Sequence, residues 1–288
     1  MAALKHLFLA VVFLFAACSP RTIALRQTAG LIAGGAPALY EEGDPAFAKD
    51  AMPGSLKLVE VLLRSEPDNL QLLQTAAEGF GGYAFLFLED SEPQRAKGMY
   101  RRGRDHALRL AALRRKELAG LGEMGSEAAE KALMSAGPQD APALFWAAFN
   151  WAAMINLSKD SPSALAELPT AVAVMERARA LAPGYQFAGA ELFFGMYYAS
   201  RPAILGGDLK KAQAAFLEAR KRTGGKYLMT YVLEARHAAV AAQDLEAFAG
   251  LLNKVLESPS GQLPNARLAD EVAKLKAKSL LEKKDDLF

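Results

Sequence analysis

The feature that most limits the fold is a recurring interval of small and aromatic residues along otherwise apolar segments. In the stretch YQFAGAELFFGMYYASRPAILGGDLKKAQAAFLEAR, residues 185–220, Tyr198 follows Gly195 by three positions. Ala212, Phe216 and Ala219 then follow one another at intervals of four and three. Such intervals place side chains on one face of an α-helix. Small residues on that face let two helices approach closely, and an aromatic ring fills the space beside them. Gly195 and Ala212 therefore mark the expected crossing of a helical hairpin, with Tyr198 and Phe216 plugging it. The connection, SRPAILGGD, is longer than a tight turn needs. Pro202 is poorly tolerated inside a helix, Gly206 and Gly207 permit positive φ, and Asp208 is suited to cap the second helix.

The same spacing returns elsewhere. Ala96, Tyr100 and Gly103 repeat it, and Ala171, Met175 and Ala178 repeat it before Pro183. Period-two alternation does not persist anywhere, so strands are not expected. The fold class expected is all-α: a tetratricopeptide-like array of helical hairpins, an α-solenoid, open or closed around a pore or cavity. With 288 residues, 52% of them hydrophobic, the chain can bury a large core. Asp44-Pro45, Glu66-Pro67-Asp68-Asn69, Pro93, Asp140, Asp160-Ser161-Pro162 and Asp244 read as helix starts or breaks. Pro53-Gly54 reads as a break, with Ser55 capping the next helix. Leu268, Val272, Leu275 and Leu280 mark a terminal amphipathic helix whose lysines face outward.

Two glycines in FGGYAF cost a helix about 1 kcal/mol each relative to alanine. They serve either close packing on a neighbouring helix or a thin wall lining a cavity. The residues expected to line such a cavity are Phe80, Gly81, Gly82, Asn150, Asn156 and Phe194. Asn150 and Asn156 lie on an aromatic-rich helix and need partners or water if buried. The helix from Pro93 is strongly basic. A solvated charged face is the first reading, and an acidic partner or anionic headgroups the other.

The chain opens with Lys5 and His6, then an apolar run from Leu7 to Ala17 that is short for a membrane span. This is the layout of a secretory signal over residues 1–17. Small residues then precede Cys18, the sole cysteine. Their arrangement resembles a bacterial lipobox, with lipid attachment at Cys18, although an ordinary signal with an incidental thiol has the same start. Residues 18–27 would form a lipidated linker and 28–288 a single α-helical domain. Ser19, rather than Asp, is similar to outer-membrane sorting patterns and implies the periplasmic face of that membrane's inner leaflet.

No catalytic constellation emerges, so the expectation is a non-enzyme without cofactor or metal. One cysteine and three histidines exclude a disulfide framework and a Cys-rich metal centre. The near-neutral balance, a formal +2, gives no reason to expect nucleic acid. Gly224-Gly225-Lys226 lacks the first glycine of a phosphate loop and reads as a turn. His237 reads as structural, with ligation the lesser alternative. Arg201 either fixes its loop by pairing with Asp208 or Glu191, or meets a ligand carboxylate.

Longer strings carry a resemblance: FGGYAFLFLED at 80–90, FWAAFNWAAMINLSKD at 145–160, FFGMYYASRPAILGGDLKKA at 193–212 and ARHAAVAAQD at 235–244. Together they resemble the T component of tripartite ATP-independent periplasmic (TRAP) transporters, a family of periplasmic lipoproteins with cryptic tetratricopeptide repeats. The resemblance implies a homotrimer, a pore or cavity in each protomer, and docking of the transporter's periplasmic substrate-binding protein. It implies a small organic acid or a hydrophobic molecule as ligand. It also draws attention to the loop residues Ser200, Arg201, Pro202, Leu205, Gly206, Gly207 and Asp208 as a candidate ligand or partner contact. The alternative function is a general envelope scaffold for protein–protein interaction.

Overall fold

The computed structural model describes residues 27–28, 30–31 and 34–288, so the expected signal segment and Cys18 lie outside the described residues. The described residues form helices joined by turns and loops, without a strand. After a short helix α1 (Ala36–Tyr40) come α2 (Pro45–Ser65), α3 (Leu70–Tyr83), α4 (Pro93–Arg114) and α5 (Ser126–Leu133). Next are α6 (Ala141–Asn156), α7 (Pro162–Ala166), α8 (Leu168–Leu181) and α9 (Tyr185–Ala199). The series ends with α10 (Leu209–Thr223), α11 (Met229–Leu233), α12 (Leu245–Glu257) and α13 (Arg267–Glu282).

Caps set many of these starts. The Asp44 carboxylate accepts from the backbone of Ala46 and Phe47, and Asn69 from Gln71 and Leu72. Asp208 and Asp244 each accept from the amide three residues on. Each such cap satisfies amide groups that a helix start leaves without a partner.

One expected boundary is corrected, and a second stands where expected but without the side-chain cap its aspartate suggests. Helix α2 runs through Pro53 and Gly54, so Ser55 is not a cap; its hydroxyl bonds back to the Ala51 carbonyl at 3.2 Å. The reason is the apolar stripe, Ala48, Met52, Leu56, Val59 and Leu63, which is buried on both sides of the proline. An interior proline costs about 3 kcal/mol; burying one aliphatic side chain returns about 1.5–3 kcal/mol, and the stripe holds several. Asp140 does not cap α6 with its side chain. Its fully buried carboxylate instead receives the Arg115 guanidinium at 2.8 Å and the Gly137 amide at 2.9 Å.

The expected hairpin crossing is present. α9 packs along α10, Ala212 and Phe216 are fully buried, and the Phe216 ring lies against Gly195. A Cβ at Gly195 would sit 2.8 Å from that ring. Ala96, Tyr100 and Gly103 are buried in the same manner on α4, which packs between α3 and α6.

Helices α2 to α8 enclose one core and α10 to α13 another, and α9 contributes to both: Phe193 and Phe194 to the first, Ala188 and Leu192 to the second. The array closes on itself. α13 packs against α1 and α2, and the Asn265 amide just before it donates to the Glu41 carboxylate. Asp90, at the end of α3's extension, bonds Arg236 at 2.6 Å and also Lys276 of α13. Burial pushes the Asp90 carboxyl up, but the ammonium of Lys276 and the guanidinium of Arg236 outweigh it and hold it below the ordinary range.

Gly195→Leu is expected to lower unfolding stability by about 1–3 kcal/mol through overpacking against Phe216. Gly250→Ala, in mid-helix where a Cβ meets nothing within 4 Å, is expected to raise it by up to about 1 kcal/mol. Urea midpoints check both, and an unchanged midpoint for Gly195→Leu would misplace the crossing.

Candidate functional site

Where the two cores meet they leave a cavity of about 730 Å³. That is within the ordinary range for small-molecule sites. α3 supplies Glu78, Gly79 and Gly82, and α6 supplies Phe145, Trp146 and Phe149. Residues of α1, α2 and α9, the end of α10, the segment 227–233 and the residues around α13's first turn contribute the rest of the wall.

Local backbone departures aim side chains into this space. α3 continues as a π-helical turn, Ala84–Leu88, which brings Phe85 and Leu86 to the wall. A second π turn, Glu234–Ala239, follows α11. Such turns shift helical register by one residue and occur often at functional sites. At the start of α9, Gln186, Phe187 and Ala188 have φ of 49°, 56° and 60°. Three successive left-handed residues without a glycine cost about 1–2 kcal/mol each. The turn sets Gln186 Nε2 3.1 Å from the Glu78 carboxylate and stacks Phe187 on Tyr227, ring centres 4.4 Å apart.

Glu78 is the polar focus of the cavity. The Tyr40 hydroxyl and the Gln186 amide both donate to its Oε1. Beside it, the Tyr185 oxygen accepts from Trp146 Nε1 at 3.1 Å and from Gln74 Nε2 at 3.4 Å. Burial raises the Glu78 carboxyl above the ordinary range, and the bonds from Tyr40, Gln186 and Gln74 only partly oppose it. Burial and the nearby Glu78 carboxylate push the Tyr185 hydroxyl up to about 12 and Tyr40 higher still. Both phenols are therefore neutral donors or acceptors throughout the physiological range.

Of the expected lining residues, Gly82 is in the wall. Phe80, Gly81, Asn150, Asn156 and Phe194 are corrected to other places. Gly81 faces the other side of α3, where a Cβ would lie 2.5 Å from Asn150 Oδ1. Asn150 is fully buried and donates to the carbonyls of Ala77 and Trp146. Phe80 lies between the His106 ring and the Arg102 guanidinium, Phe194 lies under Arg179, and Asn156 is exposed. The two readings of FGGYAF thus divide between adjacent residues: Gly81 packs, and Gly82 opens onto the cavity.

The loop 200–208 is not part of the cavity wall. Arg201 pairs with neither Asp208 nor Glu191; its guanidinium lies 4.6 Å from the Tyr197 ring centre. Asp208 caps α10, and Glu191 is met by Arg179 at 3.6 Å. The loop folds as one 3₁₀ turn, Ala203–Leu205, held by amides of residues 205–207 and closed by Gly206 at φ 88°. Ile204 is 92% and Leu205 59% exposed at its tip. Ser200 Oγ lies 3.0 Å from His237 Nδ1. Burial, with Arg236 and Lys159 nearby, pushes that imidazole down to about 4, so it is neutral at physiological pH.

The basic face of α4 is largely engaged within the molecule. Arg102 meets Glu60, Arg109 meets Asp68 and Arg115 meets Asp140. Among the described residues no group of three His, Cys, Asp or Glu is placed to hold a metal ion. No helix among them is long and apolar enough to cross a membrane. Sequence reasoning missed Glu78, Tyr40 and Gln186. The available signal was a single carboxylate inside the apolar run TAAEGFGGYAF.

Because the folded state raises Glu78's proton affinity, its ionisation opposes folding progressively as pH rises from about 4. Glu78→Gln keeps an acceptor for Tyr40 and removes that opposition. Its stability relative to the unmutated protein is expected to grow between pH 4 and pH 8 in urea titrations. A difference independent of pH would place Glu78 in water.

Among curated proteins none matches the chain. The model of the family described as TRAP transporter T-component matches residues 41–288, which span the helical array from just after α1 to the last residue. That match ties the chain to TRAP transport in an accessory role. The chain belongs to the TRAP transporter T-component family.

Proposed function

We propose that this protein captures a predominantly apolar ligand in the cavity between its two cores and exchanges it with the substrate-binding protein of a TRAP system. The observation that carries the reading is the cavity wall, in which Phe85, Phe145, Trp146, Phe149 and Phe187, together with the aliphatic side chains and methionines around them, outnumber the polar groups. An aromatic wall of this kind favours the hydrophobic of the two ligand classes over a small organic acid. The role is carriage rather than catalysis. Its polar groups hold one another in hydrogen bonds, and the His237 imidazole, a natural acid–base group, is bonded to Ser200 away from the cavity.

The docking half of the proposal rests on family membership and on the 200–208 loop. Its hydrogen-bonded turn holds Ile204 and Leu205 outward as a rigid apolar knob, which is what a partner's pocket needs. The proposal extends to a homotrimer tethered by lipid at Cys18 to the periplasmic face of the outer membrane.

Photo-crosslinking from position 204 in intact cells is expected to capture the substrate-binding protein encoded with the same transporter. Crosslinks to unrelated envelope proteins in its place would favour a general scaffold. Cys18→Ser is expected to move the protein from the membrane to the soluble periplasmic fraction with its helical content unchanged. Retention in the membrane would show an anchor other than a lipid at Cys18.

A further inference from the structure

The polar end of the cavity is acidic, and among the described residues no cation pairs with it. The hydrogen-bond partners of the Glu78 carboxyl are Tyr40, Gln186 and Gln74, all neutral. The titratable groups facing it are Tyr40 on α1 and Tyr185 at the start of α9, whose hydroxyls keep their protons across the physiological range. The cavity's guanidinium, on Arg222, is engaged by Glu218 at 2.8 Å. A buried carboxyl in this setting destabilises the empty protein whenever it ionises. The rings beside it, Tyr40, Tyr185, Trp146 and Phe145, present π faces and edges to the same space.

These features discriminate between ligand head groups. A carboxylate ligand would bring a second negative charge to Glu78 with no free cation among the described residues to separate them, which is repulsive. A neutral head leaves the Glu78 charge unanswered. A positively charged nitrogen answers it, and aromatic faces favour such a cation as well.

We propose that the cavity selects an apolar amine, whose charged nitrogen pairs with the Glu78 carboxylate while its hydrocarbon part lies along the aromatic wall. This rests on the reading of the cavity as a ligand site. It adds the charge of the ligand's head, which family membership does not specify.

The test compares three eight-carbon ligands that differ only in the head: octylamine, octan-1-ol and octanoate, each titrated calorimetrically into the full-length protein. At pH 7.5 octylamine is expected to bind about ten-fold or more tightly than octanol, the factor that a charge-assisted hydrogen bond of about 1.5–3 kcal/mol supplies. Octanoate is expected to bind more weakly than octanol. The amine's advantage should shrink at pH 5, where Glu78 takes up a proton more readily, and vanish in Glu78→Gln, whose intact fold is checked by its helical circular dichroism and cooperative unfolding. Equal affinities for amine and alcohol, or a preference for octanoate, overturn the amine proposal and leave the cavity reading standing. Binding of none of the three overturns both. The head-group comparison on the unmutated protein decides the matter even if the variant folds poorly.

Discussion

The close contact of the Asn150 amide with two glycine backbones sets the geometry of the first core. A Cβ on Gly81 or Gly103 would lie 2.5 or 2.7 Å from Asn150 Oδ1, so α3, α4 and α6 meet at a distance no other residue permits there. The amide nitrogen donates to Ala77 on α3 and to Trp146 on its own helix. Two bonds to carbonyls repay much of the desolvation cost of the side chain. The carbonyl oxygen has no hydrogen-bond partner among the described residues, and it faces the two glycines. One side chain thus holds α3 and α6 in the register that turns Glu78 and Gly82, on the adjoining face of α3, toward the cavity and sets Trp146 opposite.

Closure of the array is the second constraint. A helical-hairpin array left open has two ends to cover; here the last long helix rests on the first ones. The polar contacts that seal it join residues far apart in sequence: Asn265 to Glu41, and Asp90 to both Arg236 and Lys276. Asp90 and Arg236 each sit at a π turn. The register shift therefore serves two ends: it carries Phe85 and Leu86 to the cavity, and it brings a carboxylate within 2.6 Å of a guanidinium across the closure.

The features legible in the sequence are local. The caps at Asp44, Asn69, Asp208 and Asp244 depend on side chains and amides two or three residues apart, and the crossing at Gly195 on spacing within two adjacent helices. The features that escape a sequence reading depend on distant partners. Pro53 remains inside a helix because both halves of its stripe are buried by other elements. Gln186 to Ala188 adopt left-handed conformations that no local propensity favours; the turn is held by Glu78, more than a hundred residues earlier, and by Tyr227. Glycines, asparagines and rings on apolar helices point toward a cavity, yet Gly82 alone of the six such residues is in the wall. A helix changes face by about 100° per residue, so neighbours such as Gly81 and Gly82 serve different surfaces, and only the packed partner says which. The Arg201 pairing fails for a similar reason: Asp208 is already needed as a cap, and Arg179 comes from an earlier helix to meet Glu191.

Two costs converge on the cavity. Three left-handed residues strain the start of α9, and Glu78 is buried with no cation beside it among the described residues. Each opposes folding, and neither is needed to pack a core: the neighbouring crossings at Gly195 and Asn150 achieve close packing with ordinary helical backbone. Strain and uncompensated polarity that persist together in one place, held by the surrounding structure, are characteristic of sites shaped for a ligand. The left-handed turn is also what brings Gln186 to Glu78, so the two costs are coupled. The Gln186 side chain donates to the same carboxylate oxygen that accepts from Tyr40. The polar end of the cavity and the α9 entrance thus share a single carboxylate.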